Sequence, residues 1–247
     1  MDKYQIEISS MLPACPHWTY TLLKVGGKGC SHIRKLCSPP QEINYNNWPH
    51  LTNSSEFLRE LGVHFLPNEA AKVISSIYKT STVPLARDIQ ISILRNNLYA
   101  KELLHKMKVI QDPSCPFCPN VIETRIHRFW DCPQSKMIWQ FVNKVLDTSC
   151  MKPIFKQEAM LGLYEESSTS NNNLIILYSK WYLDQAKREA SPPSLASFAS
   201  ALQNALSAQF EFMEAKYTTE AKTKIINEIE TLKFFLENLN SMGMNII

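Results

Sequence analysis

The chain has 247 residues, enough for one large domain or two small ones, and 45% hydrophobic with 20% charged residues is ordinary for a globular protein. The net charge of +3 is too small to argue a nucleic-acid role from the total. No apolar run is long enough to span a bilayer, and the first ten residues lack the apolar core of a signal peptide. With seven cysteines, an odd number, we expect an intracellular protein, nuclear or cytoplasmic, rather than a secreted disulfide scaffold.

Residues 1–50 are predicted to be an irregular connector, because glycines and a Pro39-Pro40 pair interrupt their short apolar runs. The pattern also allows a short strand at residues 20–25. The connector contains three cysteines and two nearby histidines: Cys15, His17, Cys30, His32 and Cys37. Because they form no C-x-x-C pair, free thiols are favoured over a second zinc site.

Residues 51–150 are predicted to be a helical region. Asn53 or Ser54 is predicted to cap a short helix that runs through Leu61, and Gly62 ends it. Pro67-Asn68 opens a second helix. Its apolar residues recur at i, i+3, i+4, i+7 and i+8: Ala70, Val73, Ile74, Ile77 and Tyr78.

Two more helices are predicted before residue 112. Pro84 opens the first, with Leu85, Ile89 and Ile93 along one face and Arg87 and Arg95 off that face. A loosened segment at Asn96-Asn97 follows. The next apolar stripe consists of Ala100, Leu103, Leu104 and Met107.

A compact set of metal-ligand residues follows these helices. Cys115, Cys118, His127 and Cys132 have the spacing C-x2-C-x8-H-x4-C. Three thiolates and an imidazole form the ligand set of a closed zinc site, although the same residues could also be unlinked core residues. The complete set within eighteen residues favours zinc. Because protein would fill all four positions, we expect one structural Zn²⁺ rather than a catalytic one.

Pro133 directly follows the last of these ligands and suits the first position of a helix. This places Cys132 at a helix N-terminus, where the helix dipole favours a thiolate. The helix is predicted to run to about Leu146. Phe129, Trp130 and Trp139 flank the ligands, and packing around the metal is favoured over stacking on a nucleic-acid base.

The motif also carries a family resemblance. C-P-F-C, followed by E-T-x-x-H-x-F-x-x-C-P over residues 123–133 and by Trp139, resembles the reverse-transcriptase zinc-binding domain. That domain closes the polyprotein of LINE-type, non-LTR retrotransposons, downstream of the polymerase. The resemblance covers about residues 85–215, although only the zinc stretch is highly specific. It implies an accessory module that acts beside a polymerase and binds nucleic acid.

The second half of the chain is predicted to be a linker followed by helices. Residues 151–173 form the linker, and the polar run at 165–173 reads as a mobile loop. Residues 174–247 form the C-terminal helices. Residues that are all apolar except Gln209 recur there at about 3.5-residue spacing: Leu195, Phe198, Leu202, Ala205, Gln209 and Phe212, then Ile225, Ile229, Leu232, Leu236 and Leu239. The sequence therefore predicts a mostly α fold, in which a small helical zinc-binding domain with its core at about residues 85–146 precedes a helical C-terminal extension.

Catalytic motifs are missing from the sequence. A reverse transcriptase needs paired aspartates to hold Mg²⁺, and the chain has no Asp-Asp pair. It has no G-x-S-x-G, H-E-x-x-H or phosphate loop either. We therefore expect a non-enzymatic protein without a small-molecule substrate.

Two functions remain open from the sequence. The first is a module that binds RNA or single-stranded DNA through basic residues near the metal. These residues are Arg87, Arg95, Lys101, His105, Lys106, Lys108, Arg125, Arg128 and Lys136. A solvated helical surface explains the same charges equally well. The second function is a helical protein–protein interaction module with a purely structural zinc site, in which the repeats after Leu195 bind another helix of the same chain or of a partner.

Overall fold

The computed structural model describes residues 48–244 except for residues 67, 81–83, 165–169 and 217–218. A few side chains inside the helices, chiefly those of residues 212–229, are also not described. The predicted connector at residues 1–50, with its possible strand and its cysteines, therefore lies almost entirely outside the described residues. Most of the polar run after Tyr164 also lies outside the described residues, and the side chains of Ile225 and Ile229 in the second 3.5-residue repeat are not described.

The described part of the chain is mostly helical, as predicted. A short 3-10 helix, Pro49–Leu51, comes first. The α-helices and strands that follow are α1 (Glu56–Leu61), α2 (Glu69–Thr80), α3 (Pro84–Leu94), α4 (Lys101–Lys106), β1 (Ser114–Cys115), β2 (Cys118–Ile122), a π-helical turn (His127–Asp131), α5 (Pro133–Thr148), α6 (Lys156–Leu161), α7 (Ser170–Arg188), α8 (Leu195–Lys216) and α9 (Thr219–Met244). Within these residues, no helix has both the length and the apolar character needed to cross a bilayer.

Helix α1 is capped one residue later than the sequence suggests. The Ser55 side chain accepts a hydrogen bond from the Leu58 amide at 3.2 Å and so caps the N-terminus. Gly62 ends the helix with φ 67°, a left-handed conformation that glycine adopts without the Cβ penalty. In α2 the predicted face is confirmed, because Val73 and Ile74 are fully buried.

Helices α3 and α4 differ from expectation in one respect each. Arg87 was predicted to lie off the apolar face of α3, yet it is buried, with its guanidinium 5.7 Å from the centre of the Tyr78 ring. The contact with an aromatic face offsets part of the desolvation of this cation. Helix α4 has no buried residue, and Met107, predicted to complete its apolar stripe, is 52% exposed. The apolar residues are spaced as predicted, but the helix lies at the edge of the fold, where no residue of it is buried.

Helix α7 is the central element of the described structure. Every residue from 171 to 180 is buried. The helix packs against α2, α3, α8, α9 and the π-helical turn. A helix that is covered on all sides buries polar as well as apolar residues, which explains why its sequence shows little amphipathic pattern.

The described part of the predicted linker, residues 151–164 and 171–173, is largely packed. Helix α6 lies inside it, and Ala159, Met160 and Leu161 are buried. The Asn173 side chain accepts a hydrogen bond from the Leu163 amide and donates one to the Leu163 carbonyl, at 2.7 Å each. It thus makes the two hydrogen bonds that a neighbouring strand would make. Asparagines that appeared to belong to a polar loop therefore start α7 and fasten the segment before it.

The C-terminal helices α8 and α9 pack against each other and against α5. Phe198, Leu202 and Leu206 of α8 are buried, as are Leu232 and Phe235 of α9. The 3.5-residue repeats thus find a helical partner within the chain.

Candidate metal centre

A two-stranded hairpin positions the first two cysteines. Strands β1 and β2 are antiparallel, and Cys115 pairs directly with Cys118. The turn between them lets the Phe117 amide donate a hydrogen bond to the Cys115 Sγ at 3.4 Å. Both cysteines are buried although the remainder of β2 is exposed, so the strand turns its sulfur inward and its other residues outward.

The π-helical turn and the start of α5 position the other two candidate ligands. The Thr124 side chain accepts a hydrogen bond from the His127 amide at 3.0 Å and so opens the turn. The Cys132 amide donates a hydrogen bond to the His127 carbonyl at 2.9 Å, and this bond closes the turn. As predicted, Cys132 is the N-cap of the helix that Pro133 begins. Single π turns frequently occur at functional sites.

The four side chains meet at one point. Their potential ligand atoms lie within 4.8 Å of one another, and all four residues are buried. The Cys132 Sγ is 3.6 Å from the Cys118 Sγ and 4.0 Å from the Cys115 Sγ. Sulfurs that share a tetrahedral zinc ion at 2.3 Å are about 3.8 Å apart, so these distances fit the metal. We call Cys115, Cys118, His127 and Cys132 the ligand quartet.

A buried ring nitrogen also indicates a metal. The His127 Nε2 is buried, and no hydrogen-bond partner for it is present among the described residues. Burial, and secondarily the charge of Lys187, hold the pKa of His127 below its ordinary value, so its ring is neutral near pH 7. A neutral imidazole with an unused nitrogen is ready to be a ligand.

The thiols require a cation if they are to ionise together. Without a metal, burial and then the neighbouring Cys132 and Cys115 raise the pKa of Cys118 to about 12. Cys132 differs: burial acts to raise its pKa, but the hydrogen bond and charge of Lys187 outweigh this and the pKa falls. A bound zinc ion would supply the positive charge that keeps all three sulfurs as thiolates and would cross-link the hairpin to α5.

Lys187 was not among the predicted site residues. Its Nζ donates to the Cys115 Sγ at 2.7 Å and to the Cys132 Sγ at 3.1 Å. It also lies 4.5 Å from the centre of the Phe117 ring. Lys187 is in the last turn of α7 and is 72 residues from Cys115 in sequence, so no local pattern could have linked them.

A buried ionic cluster connects the motif to the same helix. The Arg128 guanidinium pairs with Glu123 at 2.6 Å and with Asp184 of α7 at 2.8 Å. Glu123 also accepts from the Lys101 amide at 3.3 Å and so holds the start of α4. These contacts explain the residue types between the ligands, because Glu123 and Arg128 join the hairpin, α4 and α7.

The aromatic residues beside the ligands pack rather than face solvent. Phe129 and Trp139 are almost fully buried, and the Trp139 indole donates to the Phe129 carbonyl at 2.6 Å. Both belong to the large helical core, and Trp130 is half-buried against it. Packing was the favoured expectation, but these residues pack in the main core. Among the described hydrophobic residues, Phe117 packs against the three cysteines.

The predicted nucleic-acid contacts divide into two groups. Arg87 and Arg128 are 7% and 4% exposed, so neither presents its guanidinium to solvent. The others lie at the surface or half-buried: Arg95, Lys101, His105, Lys106, Lys108, Arg125 and Lys136.

Comparison with known protein families gives a match over part of the chain. Residues 63–139, from just before α2 into α5, match the family described as zinc-binding in reverse transcriptase. The matched stretch contains the complete ligand quartet but ends before Asp184 and Lys187. No curated protein matches the chain. Residues 63–139 are therefore similar to the zinc-binding domain of reverse transcriptases.

Proposed function

We propose that this chain is a non-enzymatic module that binds RNA or single-stranded DNA and is held in shape by one structural Zn²⁺ at the ligand quartet. Its place is that of the C-terminal part of a LINE-type, non-LTR retrotransposon reverse transcriptase, beside the polymerase that holds the template. The family match supports the zinc-binding part of this proposal. The distribution of positive charge supports the nucleic-acid part.

One observation carries the nucleic-acid proposal: two arginines lie together and have uncharged partners. The Arg95 guanidinium stacks over the Trp48 ring, 4.6 Å from its centre. Arg125 donates to the side chain of Asn96, the residue next to Arg95. In the described part of the chain, neither guanidinium forms an ion pair with a carboxylate. A stacked guanidinium keeps its N–H edge available, and this edge matches a phosphate.

Arg125 is the more informative of the two. It is half-buried, and its burial lowers its pKa, an effect that Glu102 and Glu60 partly offset. An arginine stays protonated despite such a shift, so this cation has lost water without gaining a carboxylate within ion-pair distance. A phosphate oxygen would restore the missing interaction.

Lysines extend the charge from this pair along α4. Glu102, which is close enough to influence Arg125, forms an ion pair with Lys106 at 2.6 Å. Lys101 opens the same helix and Lys108 follows it. We call Arg95, Lys101, Lys106, Lys108 and Arg125 the basic face. Its charge is local, which is consistent with a net charge of only +3.

The test is a titration of labelled single-stranded RNA, read by fluorescence anisotropy at low and moderate salt, with single-stranded DNA as competitor. We expect Arg95→Gln/Arg125→Gln to weaken binding and to reduce the salt slope by about one unit for each phosphate that the variant no longer neutralises. Lys144→Gln/Lys233→Gln is the matched control, since it also removes two charges from exposed positions on α5 and α9. Zinc content and circular dichroism establish that both variants are folded.

Equal binding by the arginine variant and the control would reject the basic face as the binding surface. Concentration-dependent oligomerisation without RNA affinity would instead favour the helical protein–protein interaction module. The packing of α8 against α9 within the chain makes this the weaker candidate.

A further inference from the structure

The three cysteine sulfurs of the ligand quartet have unequal surroundings. The Cys115 Sγ receives hydrogen bonds from the Lys187 ammonium and the Phe117 amide. The Cys132 Sγ receives one from the same ammonium and interacts with the Gln134 and Ser135 amides. Among the described residues, no N–H group donates to the Cys118 Sγ.

The charge of the centre makes this difference matter. Three thiolates, a neutral imidazole and Zn²⁺ sum to one negative charge, and that charge is buried. Lys187 is only 5% exposed and supplies one positive charge in direct contact with two of the sulfurs. Hydrogen bonds from a cation withdraw electron density from a thiolate and so lower its nucleophilicity.

The cysteine that lacks an N–H donor to its sulfur among the described residues is also the most exposed of the three. Cys118 is 9% exposed, against 4% for Cys115 and 0% for Cys132. It begins β2, and the four residues after it in that strand are all exposed.

We propose that Lys187 is a positioning residue that ranks the reactivity of the three thiolates: it shields Cys115 and Cys132, and it leaves Cys118 as the site where soft electrophiles modify the centre. In such a reaction with a maleimide, the Cys118 sulfur lone pair forms a carbon–sulfur bond with the alkene. The alkene π pair moves to the neighbouring carbon, which takes a proton from water. The thioether that results is a poor ligand, so metal release follows. This inference depends on the metal centre and not on RNA binding.

The first experiment needs no variant. The zinc-loaded full chain is treated with less than one equivalent of N-ethylmaleimide, and adducts are mapped by peptide mass spectrometry. Mapping separates the ligand cysteines from the other four: Cys15, Cys30, Cys37 and Cys150. We expect Cys118 to react about tenfold faster than Cys115 or Cys132. Equal rates, or an initial adduct on Cys115 or Cys132, would overturn the proposal.

Variants then test the role of Lys187 itself. Lys187→Met keeps a chain of similar length against Phe117 but removes the charge and the donors. We expect its zinc release by N-ethylmaleimide, followed with a chromogenic chelator, to be about tenfold faster, with the preference for Cys118 reduced. Lys187→Arg retains the charge and should restore slow release. Lys144→Met, an exposed lysine on α5, controls for the loss of one charge. If Lys187→Met matches that control, the ammonium has no shielding role.

A spectroscopic readout separates shielding from a merely structural effect. In the cobalt-substituted protein, the sulfur-to-cobalt charge-transfer band reports the electron-donating strength of the thiolates. We expect Lys187→Met to shift this band to lower energy and Lys187→Arg to keep it near the wild-type position. An unchanged band in a folded Lys187→Met protein would overturn the proposal.

Discussion

The hairpin region and the helical core of this protein are held together by different interactions. In the hairpin region, residues 101–132, α4 buries no residue, and Met107, Val109, Val121 and Ile122 are all more than 40% exposed. The core around α7 instead buries large aliphatic and aromatic side chains from helices along the chain. A metal bound at the quartet, together with a few buried ions, would stabilise the hairpin as apolar packing stabilises the core.

Removing the metal should have the largest effect, and only on one side of this comparison. Binding free energy in small zinc modules is on the order of 10 kcal/mol, and without it the hairpin has little apolar area of its own. We expect Cys118→Ser to lose zinc and to lose amide-exchange protection across α4, β1 and β2, while α7 stays protected. Elemental analysis and hydrogen-exchange mass spectrometry measure both. Cys150→Ser is the control, since Cys150 is exposed and outside the quartet.

A wild-type protein without stoichiometric zinc would contradict this prediction. So would simultaneous loss of protection in α7, because the two regions would then unfold as one unit.

Breaking the ionic link between the regions should have the next largest effect. Arg128→Met leaves Glu123 without its cation and removes one partner of Asp184, both of them buried. Loss of one member of such a buried cluster costs about 3–5 kcal/mol of unfolding free energy. Arg59→Met removes an ion pair to Glu56 whose side chains are 75% exposed, and we expect it to cost less than about 1 kcal/mol. Urea denaturation with zinc present measures both. Similar losses in the two variants would show that the cluster adds little.

A smaller, pH-dependent effect should come from within the helical core. Lys180 of α7 is fully buried, its ammonium donates to the Gln90 side chain, and burial lowers its pKa from 10.5 to about 7. Between these values the unfolded chain binds a proton that the folded chain lacks, so the free energy of unfolding rises with pH, by up to about 1.4 kcal/mol per unit.

We expect Lys180→Met to have a higher free energy of unfolding than the wild type. The difference should be largest at pH 7 and below and should shrink toward pH 9. Urea denaturation across this range measures it, with Lys233→Met, an exposed position on α9, as control. A difference that does not change with pH would mean that Lys180 titrates alike in the folded and unfolded states.

The features that the sequence predicted well are those that depend on neighbours in the chain. The spacing of the quartet needs only a tight turn and a helix start, and Pro133 supplies the latter. The face of α2 follows from its 3.6-residue period, and Gly62 from the conformation that a helix end requires. Each of these features depends on residues that are close together in the sequence.

The features that the sequence did not reveal are contacts between distant segments. Asn171 and Asn172 read as loop residues, because nothing nearby shows that a helix covered on all sides begins there. Arg128 reads as a surface cation until Asp184 is placed beside it. Lys187 lies in the basic last turn of α7, an ordinary position for a lysine because its charge suits the helix dipole. Tertiary packing decides all of these, and a local pattern carries no information about it.

The order of these residues along the chain has a consequence for synthesis. Cys132 leaves the ribosome 55 residues before Lys187 does. At about 5–20 residues per second, a growing chain therefore carries a complete ligand quartet without its ammonium for about 3 to 11 seconds. We expect this interval to be the period in the life of the protein when oxidants and electrophiles damage the cysteines most readily, and the docking of α7 ends it.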